Sequence, residues 1–542
     1  MDATLQSKII SNNDFESAPR PAWRAFLPVI FAIGGSFLML LLKLQVGQSF
    51  VSDGALMMLA LACYIMAAIF QLTNLYAPSE MAAKAGLWLG ALGVFFNLSS
   101  WLVRWVGAYE HEIAILRQSG NSANPWIFRY IPFANLYDLS LAFAFGAGVT
   151  TLLLANRKNF QFLAAFTLPL AALILTLARF IGGEFIELPP VLDSYWRPIH
   201  VGVASLSYGV ALVCFAVAVI YLLKDRVRPE AMAIWSSFFT IAVIGTISKF
   251  SVLTQAVYRA GLFLPPSAGG RKPIPTPFRL DLPFVGETLV VAALLSVGVI
   301  FAFLLYLYQN NDAAKKIGQW LLRGALAAQI LAIIFFVSGV NSIKDAPARL
   351  AAQFQAAPNQ LLTAGRAIAE RQGLSAEELA QVTPAQYQEA ALSYVQQAGS
   401  NLYLNLGTNP VEFAGLITAL AATFFVLLFS FKTERLREAL PSLEMLDGLM
   451  YKTACLAFAG LAMLLITGAI WANESWGRPW GWDSKETGAL IAWLTYAAFL
   501  HTRISRGWTG RSSAYFAIIG FLLVIFTYLG VSYLLPGLHS YA

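Results

Sequence analysis

The strongest constraint in the sequence is a series of apolar runs, each about 20 residues long, separated mostly by short polar connections. A run of this length crosses the hydrocarbon of a bilayer as one α-helix, because no water is available there to pair exposed backbone groups. Of the 542 residues, 58% are hydrophobic and 12% are charged, and the mean hydropathy is +0.64. The sequence therefore predicts an all-α polytopic membrane protein.

We predict about 13 transmembrane helices from these runs. Residues 1–24 contain no apolar stretch and are expected to form a cytoplasmic tail rather than a cleaved signal. The predicted spans lie near residues 25–45, 54–76, 84–106, 137–154, 160–182, 200–223, 232–257, 286–308, 318–340, 412–431, 449–471, 487–504 and 513–536.

The distribution of basic residues predicts the direction of insertion. An odd number of spans places the termini on opposite sides of the membrane. With a cytoplasmic N-terminus, the inner segments carry roughly twice as many lysines and arginines as the short outer loops, which is the bias that the positive-inside rule describes. We therefore expect the C-terminus outside. This placement also explains the net charge of +7, so nucleic acid is not an expected partner.

Two long connections differ from the others. The segment 341–411 is rich in Ala, Gln and Glu and contains helix N-cap signals, so we predict a soluble helical insertion on the outer side. The loop from residue 264, LPPSAGGRKPIPTPFRLDLP, is predicted to be irregular because of its prolines and glycines. The expected organisation is a tail (1–24), an N-terminal helical bundle (25–230), extra helices with the insertion (231–445) and a C-terminal domain (446–542).

The segment WANESWGRPWGWDSKETGAL, at residues 471–490, is unusually rich in tryptophan. Trp471, Trp476, Trp480 and Trp482 fall within twelve residues, interleaved with Gly, Pro and Asp. Tryptophans commonly anchor proteins at membrane interfaces, and Asp483 also fits the N-cap of the next span. The density of indoles exceeds what anchoring requires, so the segment is a candidate binding surface.

The predicted topology sorts the four histidines. His200 and His539 lie at the outer ends of their spans, on the side of the tryptophan segment. His501 lies at an inner end, and His111 lies in an outer loop. A lone histidine at a helix end is most often a capping or snorkelling residue, and that alternative stays open.

Haem chemistry accounts for this grouping. Haem iron takes axial imidazoles from opposite faces, and the flat apolar macrocycle with its anionic propionates favours aromatic walls and a cationic rim. The sequence thus predicts a haem platform, with His200 and His539 as outer axial ligands. The four tryptophans would form the wall, and the rim would consist of Arg197, Arg478 and Lys485.

These residues resemble a known family. The stretch 446–541, with LDGLMYKTACLAF, TGAIWANESWGRPWGWDSKETGALIAW and a terminal GLHSY, is similar to the C-terminal third of the CcsA/ResC cytochrome c biogenesis proteins. The tryptophan-rich "WWD" domain is the hallmark of that family. SYWRPIHVGVASLSYG near residue 195 extends the resemblance, as does RW at 104 with IPFANLYDLS at 131.

The resemblance implies a haem-handling subunit of a System II cytochrome c synthase, located in the bacterial inner (cytoplasmic) membrane. Such a subunit holds heme b at the outer WWD site and presents it for thioether attachment to the CxxCH motif of apocytochrome c. Whether the chain itself has cytochrome c haem lyase activity stays open. The implied haem-iron ligands are His200 and His539 outside and His501 inside, and the implied haem-binding residues are Trp196, Arg197, Trp471, Trp476, Arg478, Trp480, Trp482 and Asp483.

The implied partners are a CcsB/ResB-like membrane subunit, apocytochrome c, a thioredoxin-like thiol reductant of the outer compartment, and membrane lipid. Two other functions are weighed beside this one. A haem or small-molecule exporter would release its cargo without attaching it. A respiratory electron-transfer subunit would need histidine pairs bracketing each haem within the membrane, which four histidines, three of them predicted outside, do not favour.

Overall fold

The computed structural model describes residues 23, 26–118, 120, 126–181, 183, 185, 190–248, 257–264, 274–344, 358–371, 374–398, 403–405 and 410–531. Within these residues the chain forms seventeen α-helices and one small β-sheet. The predicted all-α polytopic class is confirmed, and the sheet is a local addition outside the predicted spans, apart from its first residue.

Six long helices make up the first part of the chain. The third is longer than predicted, because the sequence after its apolar run is rich in good helix formers. The sequence predicted His111 in a loop, and this is wrong, because His111 lies on this helix. The helices are α1 Leu27–Val46, α2 Asp53–Tyr76, α3 Glu80–Gln118, α4 Leu136–Ala155, α5 Ala164–Ile181 and α6 Trp196–Lys224.

The middle of the chain contains further long helices and the predicted insertion. The capping signal of the insertion is confirmed, because Ser375 and Glu378 form a capping box. The helices are α7 Pro229–Ser248, α8 Val285–Gln309, α9 Asp312–Lys344, α10 Pro358–Arg371, α11 Ala376–Gln381, α12 Pro384–Ala398, α13 Pro410–Ser430 and α14 Thr433–Ala439.

The prediction of an irregular proline-rich loop is wrong for residues 264 and 274–281, which form strands, and residues 265–273 of that loop lie outside the described part of the chain. Strands β1 Val257–Leu264 and β2 Ile274–Asp281 pair antiparallel, and β3 Tyr403–Asn405 from the insertion adds to β1. The strand order is β2-β1-β3, so β2 is an edge strand. An edge strand tolerates Pro275 and Pro277, because one side of it needs no donors. The span predicted to end at residue 257 is also too long, since that residue begins β1.

The C-terminal part contains α15 Leu443–Trp476, α16 Ser484–Arg506 and α17 Arg511–Ile525, followed by a π-helical turn at Phe526–Gly530. Eleven helical segments of the described part are long and apolar enough to cross a membrane. Two other predicted spans, α7 and α16, are also helical but are not among these eleven. The eleven are α1–α6, α8, α9, α13, α15 and α17.

Helix α6 lies at the centre of the bundle. Of its apolar window, 78% is buried inside the protein, against 28% for α1. It packs against α4, α15 and α17. A single apolar core runs through these helices, whereas α7, α8, α9 and α13 share a smaller second cluster.

Small residues allow the close approach of α4 and α6. A Cβ on Gly209 would lie 2.3 Å from the carbonyl carbon of Gly146 and 2.4 Å from the amide nitrogen of Ala147. Lipid provides no hydrophobic force between helices, so such backbone contacts supply much of their association.

Ion pairs connect the helices at the end of the bundle where α15 and α17 begin and α6 and α16 end. Arg503 of α16 forms a bidentate pair with Asp447 of α15, and Asp447 also accepts a hydrogen bond from the Gly510 amide at 3.0 Å. Arg511 pairs with Asp225 just after α6. These contacts fix the mutual positions of α6, α15, α16 and α17.

We expect Gly209→Ala to destabilise the protein by about 1–3 kcal/mol or more, because backbone atoms of α4 leave no room for the methyl group. The matched control is Gly448→Ala on α15, where nothing lies within 4 Å of the added Cβ. Thermal unfolding in detergent measures both. Equal melting temperatures for the two variants would contradict this account of the α4–α6 contact.

Candidate functional site

A cavity of about 150 Å³ lies where five helix ends meet. The N-terminal ends of α4, α6 and α16 converge there with the C-terminal end of α15 and the π-helical turn after α17. Its walls are mainly apolar and aromatic. The lining includes Phe133, Arg197, His200, Tyr208, Trp471, Trp476, Trp480, Lys485, Glu486, Thr527 and Tyr528.

His200, in the first turns of α6, lines the cavity and contacts α15. Its Nδ1 lies 3.1 Å from the carbonyl oxygen of Leu464 and 3.3 Å from Oγ1 of Thr467. Its ring centroid is 5.7 Å from that of Trp471. The imidazole therefore extends from α6, rests against α15 and forms part of the cavity wall.

Three of the four predicted tryptophans line the cavity. Trp471 is 5% exposed, and its ring centroid is 6.4 Å from that of Trp476. Among the described residues, no acceptor lies within hydrogen-bond reach of the Trp471 indole N–H. Trp482 is 71% exposed and lies edge-on to Trp480 at 5.6 Å, outside the cavity lining.

Two cations also line the cavity. Arg197 is buried and donates a hydrogen bond to the Arg129 carbonyl at 2.9 Å. Lys485 lies in the first turn of α16, ahead of the predicted span 487–504. Burial lowers the pKa of its ammonium to about 8, because desolvation outweighs the attraction of Asp483. A half-buried ammonium in an apolar wall favours an anionic ligand.

The loop between α15 and α16 is held by capping interactions. Gly477 ends α15 with a left-handed backbone, φ 69°. Asp483 is the N-cap of α16, as its position in the sequence suggested. Oε2 of Glu486 accepts hydrogen bonds from the amides of Gly481 at 2.8 Å and Asp483 at 3.1 Å. Asp483 and Glu486 therefore fix the shape of the tryptophan loop.

Other predicted site residues lie elsewhere. Trp196 and Arg478 do not line the cavity, and the exposed Arg478 guanidinium lies against the Cα of Gly481. His501 is exposed near the C-terminal end of α16, at the opposite end of that helix from the cavity. His539 lies outside the described residues, so its role as a ligand stays a prediction.

Sequence reasoning missed the floor of the cavity. Thr527 and Tyr528 line it from the π-helical turn, and the Tyr528 hydroxyl lies 2.5 Å from that of Ser140. Tyr208 packs against Tyr528 with ring centroids 6.3 Å apart. A π-helical turn often marks a functional site but has no simple sequence signature. Phe133, in contrast, lies in the motif IPFANLYDLS, which begins at residue 131 and forms part of the family resemblance.

The donor set suits an iron porphyrin better than a bare metal ion. No group of three or more metal-ligating carboxylate, thiol or imidazole residues occurs in the described part of the chain. One imidazole, several indole rings and two cations instead match a flat apolar ligand with acidic substituents. The volume of about 150 Å³ is below the ~300–1,000 Å³ of common ligand pockets. A whole porphyrin therefore requires the cavity to widen, or part of the ring to stay outside.

The fold and the cavity define a polytopic helical membrane protein with an aromatic, cation-bearing site at one end of its bundle. The family model described as "Cytochrome C assembly protein" matches residues 133–258 and 285–539, more than half of the chain. The chain belongs to this family, which confirms the resemblance found in the sequence.

Curated relatives match over a shorter region. The "Cytochrome c biogenesis protein CcsA" of Prochlorococcus marinus (strain MIT 9515) is 59% identical over 98 residues, covering 18% of this chain and 31% of the relative. The protein of the same description from Synechococcus sp. (strain CC9902) is 54% identical over 98 residues, covering 18% and 32%. The chain thus spans about a third of the length of these relatives.

We expect Glu486→Ala to loosen the tryptophan loop, because the Gly481 and Asp483 amides lose a charged acceptor worth about 1.5–3 kcal/mol. Hydrogen exchange followed by mass spectrometry should show faster exchange in residues 477–486. Asp483→Asn is the control, since asparagine caps helices equally well. Unchanged exchange in Glu486→Ala would show that the loop is held by other contacts.

Proposed function

We propose that this protein is a haem-handling component of a bacterial cytochrome c assembly system. It holds heme b at the cavity and presents it for thioether attachment to the CxxCH motif of an apocytochrome c. Membership of the cytochrome c assembly family supports the general role. The observation that carries the specific one is the placement of His200 in the wall of an aromatic cavity that also contains Arg197 and Lys485.

In this proposal the haem is cargo, and each wall has a part in holding it. His200 ligates the iron through Nε2. Trp471, Trp476 and Trp480 contact the macrocycle, and the unpartnered Trp471 N–H is available to an acceptor on the cargo. Arg197 and Lys485 bind the propionates, because an anion in an apolar wall needs a charged partner.

His539 is the proposed second axial ligand at this site. The described chain ends at Val531, three residues after the cavity-lining Tyr528, and His539 follows eight residues later. Eight residues span at most about 26–29 Å when extended, so the cavity lies within reach. His501 is proposed to contact haem at the opposite, cytoplasmic end, with a second ligand from a CcsB/ResB-like subunit.

The chemistry requires positioning more than acid or base catalysis. Each thioether forms when a cysteine S–H adds across a vinyl C=C bond, a step that consumes no oxidant or reductant. It does require free thiols, and a thioredoxin-like reductant in the outer compartment would supply them. Holding the vinyl groups beside the CxxCH thiols can lower the activation free energy of the addition by several kcal/mol. The protein is proposed to act in the bacterial cytoplasmic membrane, with the N-terminus inside and the cavity facing outward.

We expect His200→Ala to lose copurifying haem and cytochrome c maturation, with partial recovery in added imidazole, because a small ligand can fill the coordination position. His539→Ala should behave in the same way. The measurements are the absorption spectrum of the purified protein and covalent haem staining of a coexpressed CxxCH reporter.

His111→Ala is the control for these variants, since His111 stacks on Phe185 at 5.3 Å and does not line the cavity. Full maturation by a double His200→Ala, His539→Ala variant would refute the ligand assignment. Normal haem binding without covalent attachment to the reporter would favour an exporter instead.

We expect iron-free protoporphyrin to bind less tightly as the pH rises through about 8, because Lys485 loses its charge there. Below that pH the charged Lys485 ammonium attracts the propionates. Above it, Lys485 must first take up a proton before it can pair with them, and this costs binding free energy. Lys485→Met should bind about 10- to 100-fold more weakly at pH 7, as expected for one charge-assisted hydrogen bond. It should also lose this pH dependence.

Fluorescence quenching titrations from pH 6.5 to 9.5 measure both effects. His200→Ala is the matched control, since without iron its loss should leave the pH dependence intact. A Lys485→Met variant with the pH profile of the unchanged protein would exclude Lys485 as the anion-binding group.

A further inference from the structure

The imidazole of His200 occupies space that any side chain at position 468 would fill. A Cβ on Gly468 would lie 2.8 Å from Cε1 and 3.1 Å from Nδ1 of His200. Real Cβ atoms essentially never approach another atom within 3.0 Å. Glycine at this point of α15 therefore lets the ring rest directly on the helix backbone.

The contact with the backbone also selects one tautomer of the ring. The Leu464 carbonyl oxygen, 3.1 Å from Nδ1, can only accept a hydrogen bond, so Nδ1 must carry the proton. The Thr467 hydroxyl donates to the Met463 carbonyl at 2.7 Å, which leaves an oxygen lone pair for the same Nδ1–H at 3.3 Å. In the neutral ring, Nε2 then carries the lone pair.

We propose that Gly468 and Thr467 are positioning residues that set the tautomer and orientation of His200, so that Nε2 is the nitrogen offered to the cavity. This inference rests on the proposed function and deepens it. It concerns two residues of α15 that contact His200 and not the iron itself. Outer contacts of this kind typically change metal affinity by about 10- to 100-fold.

The first test uses the protein without haem. The chain has four histidines, so histidine-selective ¹⁵N labelling gives a simple NMR spectrum. Comparison with His200→Gln assigns the His200 signals. We expect the Nδ1–H tautomer in the unchanged protein and in Thr467→Ser, and an increased Nε2–H fraction in Gly468→Ala. Thr467→Val should shift the population in the same direction. An Nε2–H form in the unchanged protein would overturn the proposal.

The second test measures haem affinity and the low-spin iron spectrum by absorption and electron paramagnetic resonance. Gly468→Ala should lower haem affinity about 10- to 100-fold and change the spectrum. The matched control is Gly460→Ala, two turns earlier on α15, where the new Cβ would lie 2.3 Å from Oγ of Ser207, also on α6. It disturbs the same helix pair without touching the imidazole.

Thr467→Val leaves the backbone packing intact and serves if Gly468→Ala fails to fold. Its expected effect is a smaller loss of affinity that Thr467→Ser restores. Equal spectral changes in Gly460→Ala and Gly468→Ala would show that helix packing, and not ring orientation, is responsible, and would overturn the proposal.

A double-mutant cycle separates this inference from the proposed function. If Gly468 acts through His200, Gly468→Ala should have no additional effect on haem affinity in a His200→Ala background. If His200→Ala itself binds haem normally, the proposed function fails. If His200→Ala loses haem while Gly468→Ala and Thr467→Val bind it normally, only the positioning role fails.

Discussion

The close approach of α6 to its neighbours is the contact on which the site depends. Glycines allow two helices to lie close to α6. On α4 this glycine is Gly146, opposite Gly209 of α6, and on α15 the glycines are Gly460 and Gly468. Within lipid such contacts must supply association by van der Waals packing, because burying apolar side chains against other apolar side chains gains little there. Larger residues at these points would separate the helices whose ends form the cavity.

Buried charges in the bundle are paired, and the cations of the cavity lie at helix ends. Inside the hydrocarbon, an unpaired cation costs several kcal/mol, and the buried Arg104 of α3 accordingly pairs with Asp138 and Asp53. At the cavity, Arg197 and Lys485 occupy the first turns of α6 and α16. The capping box of Asp483 and Glu486 satisfies the backbone of α16, so the carboxylates there are engaged in holding the loop.

Local signals in the sequence predicted the elements well and the site in part. Apolar run length located the helices, and the Asp483 cap and the indoles at 471, 476 and 480 followed from the WWD segment. The edge strand β2 was missed because Pro275 and Pro277 disfavour regular structure, and its pairing with β1 has no local signal in the sequence. Tyr528 and Thr527 were missed because their placement depends on a π-helical turn, and Gly468 because its importance appears only when α6 is packed on α15.

His200 is the proposed axial ligand that a second helix holds in place. Its imidazole rests on the α15 backbone, so moving the ring away would break its contact with the Leu464 carbonyl. His539 lies outside the described residues, eleven positions after the cavity-lining Tyr528 in the sequence. Because His200 is held in this way, we expect the CxxCH histidine of an apocytochrome to exchange at the coordination position opposite His200. The proposed site therefore keeps haem on the assembly protein through His200 and transfers the opposite coordination position to the substrate.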